Sequence, residues 1–519
     1  MGNFAWQQGR VYFILLMFFS VSTLLGQEKS LPKNFDQWVE SGREEWAIPG
    51  MAIGIVKNGE VIYAKGFGEK QLGSGEKVDA NTIFSIASVS KNMTAAALGI
   101  LVDEGKINWD DKITQHIPWF QMKDSWVTNE MTIRDALTHQ VGLGRVLGNR
   151  LQFMTENTRD SVLHRVRYMD SEAPFRSKFV YNNVMYSLAG QIIEYTDGRT
   201  WDDFLKEQLF QPLGMNNTTT SISQIKKSDN QAYPHQEIDG KIVPIQRRNW
   251  DNAGPAGGVN STVNDLNKWL LMQLQTAGNY QGKTIISHAQ MNEIQKPQAL
   301  RTHTSASSAH ASYGLGWNIL DYKNHRVITH GGATDGFITA MYLVPELELG
   351  VVVLTNTFNN FADAVSYQVM DAFIDSNDKD WNHIYRNNYI RAYERATKAR
   401  QVIHDARVKN TKTSLDLNAY VGVYESDAYG KVEVKKSGND LVLHFWDTDG
   451  LEAKLEHWHF DTFRAVWKNR AQREEFMQFH LGKNGKVKAL DFEFALRPML
   501  LQVGAYPSNY THTEMFYKK

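Results

Sequence analysis

Ser88 and Lys91 stand three residues apart in the stretch FSIASVSKNMTAAALGIL, which begins at Phe84. From Met93 onward this stretch is apolar or small on every side, and it predicts a helix that is buried all round. Residues three apart lie on one helix face, so the Lys91 amine is expected to reach the Ser88 hydroxyl. Burial and the positive end of the helix dipole should both lower the pKa of Lys91. Because a neutral lysine accepts a proton, the pair has the chemistry of an activated nucleophile.

The Ser-x-x-Lys spacing is weak evidence by itself. It also occurs in this chain at Ser30, Ser74, Ser223 and Ser376. Those four copies lie in polar, turn-rich or terminal segments, where a solvated lysine needs no special explanation. Ser88 differs because it stands at the start of a buried helix. The structural alternative at this site is a serine that caps the helix and a lysine whose ammonium reaches water.

Two further stretches carry side chains of a catalytic type. FVYNNVMYSLAGQIIEY places Tyr181 and Asn183 just before another helix with small residues. ITHGGATDGF places His330 and two glycines on a predicted strand. Both stretches follow the serine and lysine in the chain, and they extend the candidate site beyond one helix.

In order, the three groups resemble the three motifs of the serine β-lactamase and D,D-peptidase superfamily. These groups are Ser88-Val89-Ser90-Lys91, Tyr181-Asn182-Asn183 and His330-Gly331-Gly332. The class C-like branch is the most similar. The resemblance covers roughly residues 35 to 370 and extends to LTHQVGLG from Leu137, GPAGGVNST from Gly254 and YGLGW from Tyr313.

The resemblance implies a role for each motif side chain. Ser88 would be the acylated nucleophile and Lys91 its proton partner. Tyr181 would be a general base or proton shuttle, and which of the two groups takes the first proton stays open because a coupled pair titrates as a unit. Asn183 would hydrogen-bond both Lys91 and the substrate amide. His330 would take the third-motif position on the strand at the edge of the cleft.

The resemblance also implies roles for the backbone around these side chains. The N–H groups of Ser88 and Ala333 would form an oxyanion hole, which stabilises the negative charge that develops on an attacked carbonyl. Gly331 and Gly332 would let a substrate approach the strand closely.

The third motif departs from the usual family pattern. β-Lactamases and transpeptidases of this superfamily usually carry a lysine where this chain has His330. Histidine is often neutral near pH 7, so a fixed positive charge for a substrate carboxylate is lost. Esterases and aminopeptidase-like members often have histidine here. The resemblance therefore favours short peptides with D-residues, amides or esters over β-lactams.

The first elements that must position these residues are a helix and a hairpin. NFDQWVESGREEW has helical spacing, and Asn58-Gly59 separates two strand-like runs, as in a tight hairpin. Residues 325–356 are predicted to form a second group of strands, and the region from about 85 to 300 to be mostly helical. This order predicts an α+β fold, in which an antiparallel sheet is flanked by helices and carries an inserted helical subdomain.

A second, all-β region is predicted at the C-terminus. A charged, aromatic segment from Asp378 to about Lys409 is typical of a linker helix, and short strands with regular turns follow it. The last region resembles the lipocalin-like β-barrel domains of some serine hydrolases. We therefore predict a signal peptide (1–26), a β-lactamase-like hydrolase domain (27–375), a helical linker (376–414) and a lipocalin-like barrel (415–519).

The N-terminus and the composition restrict the partners. Arg10 precedes the apolar run VYFILLMFFSVSTLLG, which ends at Gly26 and predicts a cleaved secretory signal; a single membrane anchor is the alternative. The chain has no cysteine, which excludes disulfides and thiolate metal sites. A net charge of -1 argues against nucleic acid as a partner. A secreted or periplasmic protein without a stable membrane anchor is expected.

Other polar residues were weighed as candidates. His457 and His459 lie two apart on a predicted strand, but without a third ligand we favour structural packing over a metal site. Two pairs are expected to be solvated unless they border the cleft, namely Arg247 with Arg248 and His303 with His310. No cofactor or metal is expected.

Together these observations predict an exported serine hydrolase that acts through an acyl-enzyme on small-molecule or short-peptide substrates. The alternatives are a β-lactamase or D,D-carboxypeptidase, and a non-catalytic sensor of cell-wall fragments. The prediction also leaves room for a homo-oligomer.

Overall fold

The computed structural model describes residues 30–152, 155–227, 229–274, 278–301, 311–374, 379–448, 450–469, 474–495 and 511–519. The predicted signal peptide and the pair His303 and His310 lie outside the described residues. Within those ranges, no helix combines the length and the hydropathy that a membrane span requires.

A large antiparallel sheet forms the centre of the first region. The described strands of this region are β1 (Gly50–Lys57), β2 (Glu60–Gly68), β3 (Phe84–Ser85), β4 (His235–Ile238), β5 (Lys241–Pro244), β6 (Asn260–Ser261), β7 (Asn279–Tyr280), β8 (Lys283–Thr284), β9 (Ala299–Leu300), β10 (Ala311–Tyr313), β11 (Asn318–Tyr322), β12 (His325–Thr334), β13 (Phe337–Val344) and β14 (Leu349–Thr355). The eight-stranded sheet has the order β2-β1-β14-β13-β12-β11-β10-β9, and the other strands form two-stranded pairs.

The hairpin that opens the sheet follows from its turn residues. Asn58 and Gly59 have φ angles of 51° and 80°, the left-handed conformation that a tight hairpin turn requires at both positions. Beyond the turn, β1 pairs antiparallel with both β2 and β14. The predicted hairpin is therefore confirmed.

Helices surround and interrupt this sheet. They are α1 (Phe35–Glu45), α2 (Ser90–Asp103), α3 (Ile113–His116), α4 (Ser125–Glu130), α5 (Ile133–Leu137), α6 (Asn149–Gln152), α7 (Arg159–Arg165), α8 (Val184–Asp197), α9 (Trp201–Leu205), α10 (Gln211–Leu213), α11 (Gly254–Gly257), α12 (Val263–Leu274), α13 (His288–Gln295), α14 (Phe361–Ile374) and α15 (Trp381–Asp405). Helices α2 to α13 fall between β2 and β9 in the chain, which confirms the inserted helical region.

Both faces of the sheet are covered. Every residue of β14 is buried, and alternate side chains of a strand point to opposite faces. Val352 and Leu354 join the core that contains α2 and α12, whereas Val351 and Val353 join the core formed with α14. The continuous apolar run of β14 therefore reflects burial on both sides.

The predicted buried helix is present but begins later than the sequence suggests. Residues 90–101 of α2 are all buried, in agreement with the prediction. Ser88 itself lies in a 3₁₀ turn, Ala87–Val89, that leads into α2. The nucleophile candidate thus stands before the helix and not in its first turn.

The C-terminal region is a closed antiparallel barrel. Its strands are β15 (Gly422–Ser426), β16 (Gly430–Ser437), β17 (Asp440–Phe445), β18 (Glu452–His459), β19 (Thr462–Trp467), β20 (Glu475–Leu481), β21 (Val487–Ala495) and β22 (Thr511–Lys518). Each strand pairs with the next, and β22 closes the barrel on β15. The predicted all-β barrel is confirmed, and α15 precedes it as the predicted helical segment.

Candidate active site

Ser88 is held between the helical region and strand β12 of the large sheet. The residue before it, Ala87, has a φ of 48°, which is unusual for a residue with a side chain. A Cβ atom on Gly332 would lie 2.1 Å from the Ile86 carbonyl oxygen, so only glycine allows β12 to pack this closely against the turn. Gly332 is thus required by packing beside Ser88, and it is buried.

Lys91 lies beneath Ser88 and donates to uncharged oxygen atoms. Its Nζ is 3.3 Å from Ser88 Oγ, 2.8 Å from Asn183 Oδ1 and 2.6 Å from the Ala256 carbonyl oxygen. The side chain is fully buried. Burial lowers the pKa of Lys91 well below its usual value, and the positive charge of Arg145 lowers it further. This lysine does not reach water, which argues against the structural alternative of a solvated ammonium.

Tyr181 is the second group that contacts the serine. Its hydroxyl is 3.0 Å from Ser88 Oγ, and its ring centroid is 4.8 Å from Lys91 Nζ. Tyr181 and Asn183 lie in the segment directly before α8. The position of this helix therefore brings both side chains near Lys91. The three catalytic candidates from two distant stretches therefore meet around one hydroxyl oxygen.

His330 lies on β12, and both of its ring nitrogens have hydrogen-bond partners. Its Nδ1 donates to the Gly331 carbonyl oxygen at 2.7 Å, and its Nε2 accepts from the Tyr313 hydroxyl at 3.0 Å. Burial lowers the pKa of His330 to about 3. His330 therefore supplies no fixed positive charge at physiological pH, as its residue type led us to expect.

The segment of β12 after His330 borders open space. The ladder between β11 and β12 ends at the pair Asn318 and Thr329. Gly331 is exposed, and a Cβ atom there would meet only the Thr339 oxygen at 3.7 Å. Ala333 is half-buried two residues further on. This open strand edge fits the predicted approach of a substrate, and the oxyanion role of the Ala333 N–H stays a prediction.

Sequence reasoning did not assign roles to several residues around this site. His139 is buried, and its ring centroid is 4.3 Å from that of Tyr181. The Arg145 guanidinium carbon lies 4.5 Å from the centroid of the same Tyr181 ring. Ala256 holds Lys91 through its carbonyl, and Tyr313 holds His330. All four residues lie within or directly after the stretches that resemble the family. This position in the sequence was the signal that could have identified them.

The remaining candidates have structural partners. Arg247 NH2 donates to the Ala232 carbonyl oxygen at 2.6 Å, and Arg248 forms a buried ion pair with Asp335. The expectation that these arginines are solvated is wrong, because Arg248 is buried against Asp335 in the β12–β13 turn and the Arg247 guanidinium carbon lies 4.9 Å from the centroid of the Phe337 ring. His457 Nε2 contacts the Phe460 carbonyl oxygen at 2.9 Å, and His459 Nδ1 accepts from the Val408 N–H at 3.2 Å.

The described residues contain no cluster of three or more side chains suited to a metal ion.

Comparisons with known proteins agree with this geometry. Residues 35–372 match the family described as Beta-lactamase, and residues 406–503 match a domain of unknown function, DUF3471. The chain is 29% identical over 422 residues to Unguisins hydrolase ungD' of Aspergillus campestris, and the alignment covers 78% of each protein. It is 27% identical over 327 residues to Protein flp of Staphylococcus aureus, covering 62% of this chain and 63% of that protein.

A solved structure shares the architecture. The octameric penicillin-binding protein homologue from Pyrococcus abyssi superposes with a TM-score of 0.59, and the alignment covers 88% of this chain and 97% of that one. At 23% identity this similarity concerns the fold alone. The family match, in contrast, spans most of the sequence and contains all three motifs, and the chain belongs to the Beta-lactamase family.

Proposed function

We propose that this protein is a cofactor-free serine hydrolase that forms an acyl-enzyme on Ser88. One observation carries the proposal: Ser88 Oγ lies within hydrogen-bond reach of two proton-transfer groups, at 3.3 Å from Lys91 Nζ and 3.0 Å from Tyr181 OH. A nucleophile beside a base with a lowered pKa is the arrangement that acyl transfer requires. The membership of the Beta-lactamase family and the relatives named as hydrolases support the same reaction class.

The reaction has two halves. The Ser88 proton passes to neutral Lys91, directly or through Tyr181, while Oγ bonds to the substrate carbonyl carbon. The tetrahedral intermediate collapses as the proton is delivered to the leaving amine or alcohol, and an ester to Ser88 remains. A water molecule then loses its proton to the same base and attacks that ester, which releases the acid and regenerates the serine.

The third motif guides the choice of substrate. Because the pKa of His330 is lowered to about 3, this residue offers hydrogen bonds but no positive charge to a substrate carboxylate. We therefore propose amide or ester bonds of small substrates, such as peptides or esters of D-amino acids. A β-lactamase or D,D-carboxypeptidase is the less favoured candidate. The relatives named unguisins hydrolases support a hydrolytic reaction.

The test is the intact mass of the native protein after exposure to a fluorophosphonate and, separately, to penicillin. We expect the fluorophosphonate to add one adduct to the native protein and none to Ser88→Ala. Ser85→Ala is the matched control, because Ser85 Oγ donates to Asn260 Oδ1 at 2.6 Å near the site without contacting Lys91. This control should label as the native protein does.

The other outcomes separate the alternatives. A stable penicillin adduct on Ser88 would favour a penicillin-binding peptidase or sensor, and rapid nitrocefin turnover would favour a β-lactamase. Absence of labelling by both reagents would contradict the proposal and leave Lys91 as a structural residue in an inactive fold. The same mass spectra test export. Cleavage of the predicted signal peptide is expected to leave a mature chain that begins at Gln27. A homo-oligomer stays a prediction, for which light scattering gives the mass.

A further inference from the structure

An arginine of the helical region, Arg150, lies among aromatic side chains of the barrel. The Arg150 guanidinium carbon lies 5.3 Å from the ring centroid of Phe445, 5.4 Å from that of Trp467 and 5.7 Å from that of Phe492. These three rings are buried and come from β17, β19 and β21. Arg150 belongs to α6, so the helical region inserts this side chain among the aromatic rings of the barrel.

A carboxylate of the barrel completes this contact. Arg150 NH2 is 3.3 Å and 3.2 Å from the two Glu475 carboxylate oxygens, and both side chains are 17% exposed. Burial raises the pKa of Glu475, and the charge of Arg150 opposes that rise. The charge of Arg150 thus favours the charged form of Glu475. Cation–π contacts and a partly buried ion pair together hold a side chain far more rigidly than a surface ion pair does.

The residue next to Arg150 contacts the catalytic machinery. Asn149 Oδ1 accepts a hydrogen bond from Asn183 Nδ2 at 3.2 Å, and Asn149 Nδ2 donates to the Arg145 carbonyl oxygen at 2.9 Å. Asn183 Oδ1 in turn accepts from Lys91 Nζ at 2.8 Å. The Asn183 amide therefore accepts a hydrogen bond from Lys91 through its oxygen and donates one to Asn149, the residue before Arg150, through its nitrogen.

We propose that Arg150 is a positioning residue through which the barrel orders the active site. Its anchoring in the barrel fixes Asn149, and Asn149 sets the orientation of the Asn183 amide against Lys91. The proposal gives the barrel a role in catalysis. The expected effect on the reaction rate rests on the proposed function of Ser88. The expected ordering of Asn183 by the barrel does not depend on that function.

The chain offers a matched control for this proposal. Arg165 also reaches the barrel, with NH2 3.1 Å from Asp447 Oδ2, but it stands in α7 and has no contact with Asn149. Arg165→Met therefore removes an ion pair between the same two regions without touching the proposed route. Arg150→Lys keeps a cation in the barrel and serves as the conservative variant where Arg150→Met folds poorly.

The first measurement is hydrogen–deuterium exchange in the full-length chain, followed by mass spectrometry. For Arg150→Met we expect faster exchange both around residues 145–152 and in the first turn of α8, next to Asn183. Arg165→Met should change exchange only near α7 and Asp447. Faster exchange in Arg150→Met that is confined to the barrel contact, with unchanged exchange in α8, would overturn the proposal. This readout does not depend on Ser88 being a nucleophile.

The second measurement is the rate of fluorophosphonate labelling at Ser88. We expect Arg150→Met and Asn149→Leu each to slow labelling about tenfold or more, because a small misplacement of a positioning group costs at least that much. The double variant should be no slower than either single one, since both interrupt the same route. Arg150→Lys should recover part of the rate.

Native labelling rates in folded Arg150→Met, or fully additive effects in the double variant, would contradict the proposal. If the native protein itself does not label, the proposed function fails, and the exchange measurement alone decides the coupling.

Discussion

Two buried basic side chains lie close to β12, and they differ in the charge of their partners. Lys91 Nζ donates to an amide oxygen and a backbone carbonyl oxygen and contacts a hydroxyl, all of them uncharged. Arg248 donates through Nε and NH2 to the two carboxylate oxygens of Asp335. A buried charge costs several kcal/mol unless it is paired. The lysine is therefore driven to give up its proton, whereas the arginine keeps its charge.

This difference separates a chemical role from a structural one. A buried lysine with neutral partners has a lowered pKa, which favours its role as a base. A buried arginine that binds both carboxylate oxygens of Asp335 through Nε and NH2 holds the β12–β13 turn and takes no part in proton transfer. Burial alone does not distinguish the two, because both side chains are almost fully enclosed.

The largest effect is expected when the base is removed. Lys91→Met should lower the rate of hydrolysis of a simple ester about 10²- to 10⁴-fold, the range for loss of a general base. The measurement is kcat/KM for 4-nitrophenyl acetate, with circular dichroism to confirm folding. Arg248→Lys is the control, because it changes the other buried basic side chain. Similar losses of rate in the two variants would contradict the distinction between a chemical role for Lys91 and a structural role for Arg248.

The next effect concerns stability. Asp335→Asn removes the counter-ion of Arg248 and should lower the free energy of unfolding by about 3–5 kcal/mol, because an uncompensated charge stays buried. Urea denaturation measures this loss. Asp321→Asn, on an exposed carboxylate of the adjacent strand β11, should cost little. A loss in Asp335→Asn no larger than in this control would contradict a structural role for the ion pair.

The smallest effect is a shift in pH dependence. The positive charge of Arg145 contributes to the lowered pKa of Lys91. Arg145→Met should therefore raise the pKa of Lys91, so that less of the lysine is neutral at a given pH. The ascending limb of kcat/KM against pH should move to higher pH, while Arg145→Lys, which keeps the charge, should move it less. A limb that stays in place or moves to lower pH would exclude this electrostatic effect.

Local patterns in the sequence anticipated the elements that carry the chemistry. Asn58-Gly59 predicted the hairpin, the apolar run after Met93 predicted the buried helix, and the order of strands and helices predicted the α+β fold. The three motifs, known only as a resemblance, fall at one place in the structure. The exact start of α2 was missed, because the 3₁₀ turn at Ser88 depends on how closely β12 packs against Ile86.

Other features required contacts between distant parts of the chain. The solvated interpretation of Arg248 was wrong because its partner, Asp335, lies 87 residues away. Arg145 belongs to no motif, and its place against the Tyr181 ring is visible only once two loops are packed together. The same holds for Arg150, whose carboxylate partner is 325 residues away in the barrel.

The sequence by itself therefore determined the secondary structure, the fold class and the nucleophile candidate, because spacing and turn residues act over a few positions. Tertiary structure decided which basic side chains lose their proton, which form ion pairs and which lie next to the site. Burial and partner identity set those outcomes, and both depend on surfaces brought together by folding.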